Sequence, residues 1–334
     1  MSLRIVVAMG GYSSERNISL ASGMFIVDAM AQTDNEIIAL DIAPASADHA
    51  EGIHDYWRAH NAKNQALEVD WEHFTVDGRR PDVVINMVHG TPGEDGWLSH
   101  HLDQLGIPHT SCRGEAADIT FDKVRNNNLA AELGAKVPPG VYLPQNSDVA
   151  TAKREAQHLK MPLFIKPSQS GSSYGVSRIT SWNALGEALS YAASEDGHIM
   201  IEEGIEGIEL ACGVARLNDE VRILGITEIV PEGDFFDFQA KYEGRSQEIT
   251  PARISDAAAE SIGKLTTHLY DGMSLKGLCR ADYFLEPDGQ VVLIEINSVP
   301  GMSPESIVPK QVDALGMPMV EFLNLLIQQA IHDG

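Results

Sequence analysis

The sequence predicts an α/β protein in which an open parallel βαβ sheet is followed by two α+β subdomains. Three observations point to it. The first third alternates short apolar runs with helical patterns. From about Cys112 the strands become shorter and mix with helices, and the last third carries long runs with the alternation of antiparallel strands.

The first unit opens with a strand from Arg4 to Met9, a Gly10-Gly11 turn and a helix from about Ile18 to Met30. A strand over Glu36 to Asp41 follows, then a buried strand over Asp82 to Val88. A helix from Asp95 to Leu105 places Leu98, Leu102 and Leu105 on one face. The polar section from Ser46 to Arg80 predicts only a loop with one or two short helices. The second unit begins with a helix over Asp122 to Leu133 and extended Gly140 to Leu143. A helix near Asp148 to Leu159, a strand over Pro162 to Lys166, a Gly/Ser loop, a helix near Trp182 to Ala193 and a strand over Ile199 to Glu202 complete it. The third has strands over Glu209 to Leu217 and Val221 to Val230, then a loop rich in Gly, Asp and Phe. A helix from Asp256 to Tyr270, a hairpin and a last helix over Val320 to Ile331 follow. The division expected is 1–111, 112–202 and 203–334.

Composition narrows the function. A chain of 334 residues, 43% hydrophobic with 29 glycines, can bury substantial cores. The formal net charge of −24, with only 24 Lys and Arg, argues against a nucleic-acid partner, since phosphate backbones demand clustered cations. Cys112, Cys212 and Cys279 are too far apart in sequence for a zinc pattern or a dense disulfide framework, which fits a reducing cytoplasm. No window of eighteen apolar residues occurs, so no membrane insertion is expected.

The segment Arg280 to Gly301 concentrates the chemistry. Its two strands, joined by Pro287-Asp288-Gly289, carry Asp282, Glu295 and Asn297. Period-two alternation puts Glu295 and Asn297 on one side, and hairpin pairing can bring Asp282 to them. Two carboxylates and an amide suit Mg²⁺. An ordinary hairpin with a solvated acidic face reads the same three residues. Upstream, PLFIKPSQSGSSYGV ends a strand at Lys166. Gly171, Ser172, Ser173 and Gly175 then leave backbone amides available to wrap an oxyanion. It is not a Walker A loop, because no Gly-Lys-Ser/Thr is present.

Eight blocks in order complete the pattern: GGYSSERNISL, HGTPGEDG, FDK, KPSQSGSSYGV, IEEGIEGIEL, FFDFQAKY, CRADYFLEPDG and IEINSVPGMSPESIVP. On these the chain resembles the D-alanine:D-alanine ligases of the ATP-grasp superfamily over nearly its whole length. The resemblance implies an N-terminal domain on the first-substrate side and two subdomains that clasp ATP. It implies phosphorylation of one D-alanine carboxylate by ATP and attack by a second D-alanine, giving a cell-wall dipeptide precursor. ATP and Mg²⁺ or Mn²⁺, two ions, are the implied cofactors. A cytoplasmic homodimer is the implied assembly.

Residue by residue, the resemblance assigns metal to Asp282, Glu295 and Asn297, and nucleotide phosphates to Lys123 and Lys166 with the Ser172-Ser173 loop. Glu202 matches the adenine contact and Glu209 the ribose contact. Glu15 matches the group that holds the first amino acid's ammonium, joined to Ser172 and Tyr242 in a hydrogen-bond set that locks a loop, Gly233 to Arg245. Lys241 and Ser306 match groups near the second D-alanine, and Arg280 with the Gly301 amide matches the oxyanion donors. His89 falls in the first-substrate block with Glu94 behind it. Each has a plainer reading: Glu15 as a helix cap, Arg280 as a partner for Asp282, His89 as a structural histidine, either lysine as a surface charge.

The pattern departs from the family between Thr110 and Lys123, where Cys112, Arg113, Glu115 and Asp118 replace small and apolar residues. Gln239 and Tyr174 depart from common family residues too. Tyr242 favours an amine over a hydroxy acid as second substrate. A ligase for other amino acids, a non-catalytic nucleotide-binding paralogue and an oxidoreductase on the first βαβ unit are the competing readings. The last lacks a dinucleotide fingerprint.

Overall fold

A computed structural model of the chain describes residues 2–42, 67–171, 174–195, 198–231 and 246–334. In chain order the helices are α1 Arg16–Met30, α2 Trp97–Leu105, α3 Gly114–Phe121, α4 Lys123–Glu132, α5 Val149–Ala156, α6 Leu185–Ala192, α7 Asp256–Gly272, α8 Ile307–Ala314 and α9 Met319–Asp333. The strands are β1 Arg4–Met9, β2 Glu36–Asp41, β3 Val69–Asp70, β4 Thr75–Val76, β5 Val83–Asn86, β6 Gly140–Leu143, β7 Leu163–Pro167, β8 Ser177–Ile179, β9 Ile199–Glu203, β10 Ile208–Leu217, β11 Glu220–Pro231, β12 Ser246–Ile249, β13 Leu278–Leu285 and β14 Val291–Asn297.

The first unit is a parallel sheet of order β2-β1-β5. All six residues of β1 are buried, because a parallel strand with helices on both faces has no solvent side. Ile5, Val7 and Met9 face a cluster with α1, α8 and α9, whereas Val6 and Ala8 face α2 and the β3-β4 hairpin. α2 stops at Gly106, whose φ of +61° suits glycine. Residues 67–80, expected as loop or short helix, contain the hairpin instead: Val69 pairs with Val76 across a turn in which Phe74 is wholly buried.

The second unit is an antiparallel sheet, β6-β9-β7-β8, covered by α5 and α6 through Ala152, Ala156, Leu185 and Leu189. The third is the antiparallel sheet β12-β11-β10-β13-β14. Its central pair β10 and β11 turns tightly at Asn218 and Asp219, both with positive φ, the geometry that two-residue hairpins require. The core of α1 and β1 is continuous with Ala215, Leu217 and Leu224 of this sheet and with Val308, Val312 and Phe322. The N-terminal sheet therefore packs directly against the C-terminal unit, and the ends of their strands and loops converge. Among the described residues no single helix is long and apolar enough to cross a membrane.

Candidate active site

The hairpin β13-β14 forms as the alternation requires. Asp282 pairs with Glu295 and Arg280 with Asn297, and a bulge after Asp282 ends that register. Asn297 donates to Asp282 Oδ2 at 3.0 Å. Arg280 grips the same carboxylate with two bonds of 2.7 Å from Nε and Nη2. The plainer reading of Arg280 is thus part of its geometry. All four side chains are at most partly exposed, in the wall of one cleft for the first three and beside it for Asn297.

That cleft has a volume of about 680 Å³ and gathers Lys123, Lys166, Glu202, Glu209, Arg280, Asp282 and Glu295 from the two antiparallel sheets of the second and third units and from α4. Apolar walls come from Phe164, Val176, Phe284 and Ile294. Lys123 is the first residue of α4, whose free amides of Val124 and Arg125 are capped by Asp122. A cation at a helix N-terminus opposes the helix dipole. The cost is offset by the Ser170 carbonyl, 2.5 Å from Nζ, and by Glu295 at 3.3 Å. Lys166 and Glu202, matched to different parts of the nucleotide, pair with each other here at 2.5 Å. Asn127 donates to the second oxygen of Glu202 at 3.2 Å. Both members are nearly fully buried, so each carries the other's desolvation. Of the acidic residues beyond Glu202, Glu206 is exposed, while half-buried Glu203 accepts from the Lys160 amide.

The second half of the site belongs to the N-terminal unit. Ser13 donates to the His89 carbonyl at 2.8 Å and the Tyr12 amide donates to Thr91 O at 3.0 Å, so the loops after β1 and β5 are stitched together. Glu15 stands at the N-cap of α1, yet its carboxylate does not cap that helix. It lies instead against Gly171: a Cβ there would come within 2.0 Å of Glu15 Oε2. Glycine at 171 is therefore what lets the Gly/Ser-loop backbone reach this carboxylate. Glu94 is buried, and its Oε2 accepts from the Gly90 amide at 2.7 Å. Burial, reinforced by the charge of Glu15, pushes its carboxyl up to about 8. Lys123 lowers it and Glu295 raises it further, so both halves of the site share one electrostatic field.

His89 is 4% exposed, with Nε2 3.2 Å from Ser22 Oγ. Gly301 is half-buried, and a Cβ on it would lie 2.9 Å from Ser306 Oγ. Ser306 accepts from the Ser303 amide at 3.1 Å and shares a 2.8 Å bond with the Ser303 hydroxyl. Ser172, Ser173, Lys241, Tyr242, Gln239 and the loop Gly233 to Arg245 lie outside the described residues. The structure thus brings Lys123, Lys166, Glu202, Glu209, Arg280, Asp282 and Glu295 to one cleft, and Glu15 to its edge through Gly171. Asn127, Ser170 and Ser22 escaped the sequence reading. Only Ser22 had a signal, the four- and three-residue spacing of Glu15, Ser19 and Ser22 along one helical face.

The D-ala D-ala ligase N-terminus family model matches residues 4–112 and the D-ala D-ala ligase C-terminus model matches residues 129–328. A D-alanine–D-alanine ligase of Flavobacterium johnsoniae is 34% identical over 98% of this chain and 99% of its own. That of Flavobacterium psychrophilum is 35% identical over 98% of each. Among solved structures, the VanG D-Ala:D-Ser ligase of Enterococcus faecalis superimposes with a TM-score of 0.84 at 28% identity, over 99% of this chain and 100% of that one. D-alanyl-alanine synthetase A of Vibrio cholerae does so with 0.83 at 26%, over 99% of each. With both family models in register on an ATP-grasp architecture, the chain belongs to the D-alanine–D-alanine ligase family.

Proposed function

We propose that the protein is an ATP-dependent carboxylate–amine ligase that joins two D-alanines into D-alanyl-D-alanine, releasing ADP and phosphate, for peptidoglycan precursor synthesis. One observation carries the reading: a cleft lined by Lys123 and Lys166 and by the hairpin carboxylates of Asp282 and Glu295 meets, at Gly171, the carboxylate of Glu15. A site for a polyphosphate thus adjoins a site for an ammonium group. The expected organisation follows the three units, 1–111 toward the first amino acid, 112–202 and 203–334 around the nucleotide.

A carboxylate is a poor electrophile, so its oxygen attacks the γ-phosphorus of ATP and ADP leaves. The neutral amine of the second D-alanine then attacks the acyl carbon, and phosphate departs with the transferred oxygen and takes up the proton that the nitrogen sheds as the amide forms. Lys123 and Lys166 neutralise the phosphates, with Lys166 exchanging Glu202 for the nucleotide. Glu202 and Glu209 meet adenine and ribose. Glu15 holds the first ammonium, and Ser306 the second substrate's carboxylate. Arg280 and the Gly301 amide receive the developing oxyanion. The donor chemistry of Asp282, Glu295 and Asn297, hard oxygens on one edge of the hairpin with cationic partners already matched to them, fits Mg²⁺ or Mn²⁺. Those residues would hold two ions, which supply charge neutralisation at the transferred phosphoryl group. A cytoplasmic homodimer completes the proposal.

The test is phosphate release from Mg-ATP with D-alanine, D-serine, D-lactate and L-amino acids, with the product identified by mass. D-alanyl-D-alanine as the main product supports the reading. A mixed dipeptide keeps the mechanism and moves the second substrate. ATP binding without turnover on any of them contradicts it.

A further inference from the structure

Helix α1 and its N-cap residue place three buried polar side chains at helical spacing, Glu15, Ser19 and Ser22. Ser19 accepts from the Gly10 amide and donates to Met87 O, so it stitches the first two loops. Ser22 reaches further. Its hydroxyl is fully buried, accepts from the Met302 amide at 3.0 Å and lies 3.2 Å from His89 Nε2. Those are its two partners among the described residues. It therefore bridges the loop that follows β5 to the loop that carries Gly301 and Ser306.

A serine hydroxyl has one proton to give. Its oxygen already receives the Met302 N–H, and the acceptor within reach of its proton is the ring nitrogen of His89. Were Nε2 to carry a hydrogen, it and the Met302 N–H would both point at the Ser22 oxygen and the buried O–H would be left without an acceptor, an arrangement that structures avoid. We propose that Ser22 is a positioning residue that holds neutral His89 in the Nδ1–H tautomer while anchoring the Met302 amide next to Gly301. This rests on the reading that His89 faces the first amino acid. With Nε2 accepting, the ring's other nitrogen is a hydrogen-bond donor, the polarity suited to a substrate carboxylate and wrong for an ammonium group. One hydroxyl on the first helix thereby orders a group for each amino acid: His89 for the first, and the Gly301–Ser306 loop for the second.

The experiment is a long-range proton–nitrogen spectrum of the full-length enzyme labelled at histidine nitrogens, with the His89 signals assigned by their loss in His89→Gln. The wild-type ring is expected to show a protonated, pyrrole-like Nδ1 and a pyridine-like Nε2. Ser22→Ala should shift that ring toward the other tautomer and raise the first-substrate KM about tenfold, the loss of one buried hydrogen bond. Ser22→Thr, which keeps the hydroxyl, should preserve the tautomer. A protonated Nε2 in the wild type, or an unchanged His89 spectrum in Ser22→Ala, overturns the proposal. The wild-type spectrum decides even if the variants fold poorly. A switched tautomer with unchanged KM would leave the Ser22 assignment standing and remove His89 from substrate recognition, so the two ideas fail separately.

Discussion

The two halves of the site handle buried charge in opposite ways. On the C-terminal hairpin every carboxylate that faces the cleft is matched with a cation: Asp282 with Arg280, Glu295 with Lys123, and Glu202 with Lys166 nearby. On the N-terminal side Glu15 and Glu94 are sunk beneath backbone loops beside each other, and the result is a carboxyl pushed up to about 8. Pairing leaves each of these carboxylates beside a compensating cation, so its charge is neutralised locally. Burial beside a second carboxylate instead leaves the Glu94 carboxyl poised near neutrality.

The largest test of this contrast is Glu295→Gln. It removes a charge from the paired half and leaves Lys123 uncompensated, and turnover should fall at least about a hundredfold. Near-normal kcat at saturating Mg-ATP would detach Glu295 from the metal. Gly171→Ala attacks the seam between the halves, since its Cβ would displace the Glu15 carboxylate. The first-substrate KM should rise about tenfold or more, with nucleotide affinity measured in the absence of amino acid moving far less. Equal losses in both would show that the loop, not Glu15, is what the methyl disturbs.

Glu94→Gln sharpens the buried half. Its folded carboxyl is raised from 4.5 to about 8, so the native state binds more protons than the unfolded chain between those values. The resulting stability is complete below about 4.5 and is lost as pH rises through about 8. The wild type should therefore lose melting temperature across that window, and Glu94→Gln, which mimics the protonated form, should lose less. Parallel pH profiles would remove Glu94 as the cause. Smallest of all, Glu260→Gln breaks an exposed pair with Lys264 on α7, and no measurable change in melting temperature is expected. A clear shift would mean that surface pairing matters more here than the buried contrast assumes.

What the sequence makes legible follows the same divide. β1, β2 and β6 begin and end where apolar runs and turn residues put them, and α1, α4 and α9 differ by a residue or two at their ends. Hairpin alternation also brings Asp282 opposite Glu295. α3 escaped because its buried face is Ala116, Ala117 and Thr120, too small to write an apolar period. α8 escaped because Pro309 reads as a breaker, although a first helical turn tolerates it. The short strands β8 and β12 owe their existence to pairing with β7 and β11, and β3 and β4, two residues each, are too short to write an alternation. Within the site, motif residues are legible and their supports are not. The Ser170 carbonyl, Asn127 and the close approach of Gly171 to Glu15 are tertiary facts with no local pattern. The Lys166–Glu202 pair is the clearest case, since matching each to a separate part of the nucleotide gives no hint that they bind each other.

The most direct test of the account is the fate of the first substrate's carboxylate oxygen. D-alanine labelled with oxygen-18 in its carboxylate is turned over with unlabelled ATP, and the released phosphate is analysed by mass. Phosphoryl transfer to the carboxylate followed by amine attack predicts one labelled oxygen in each phosphate, in step with dipeptide formed. Unlabelled phosphate accompanying dipeptide would contradict it.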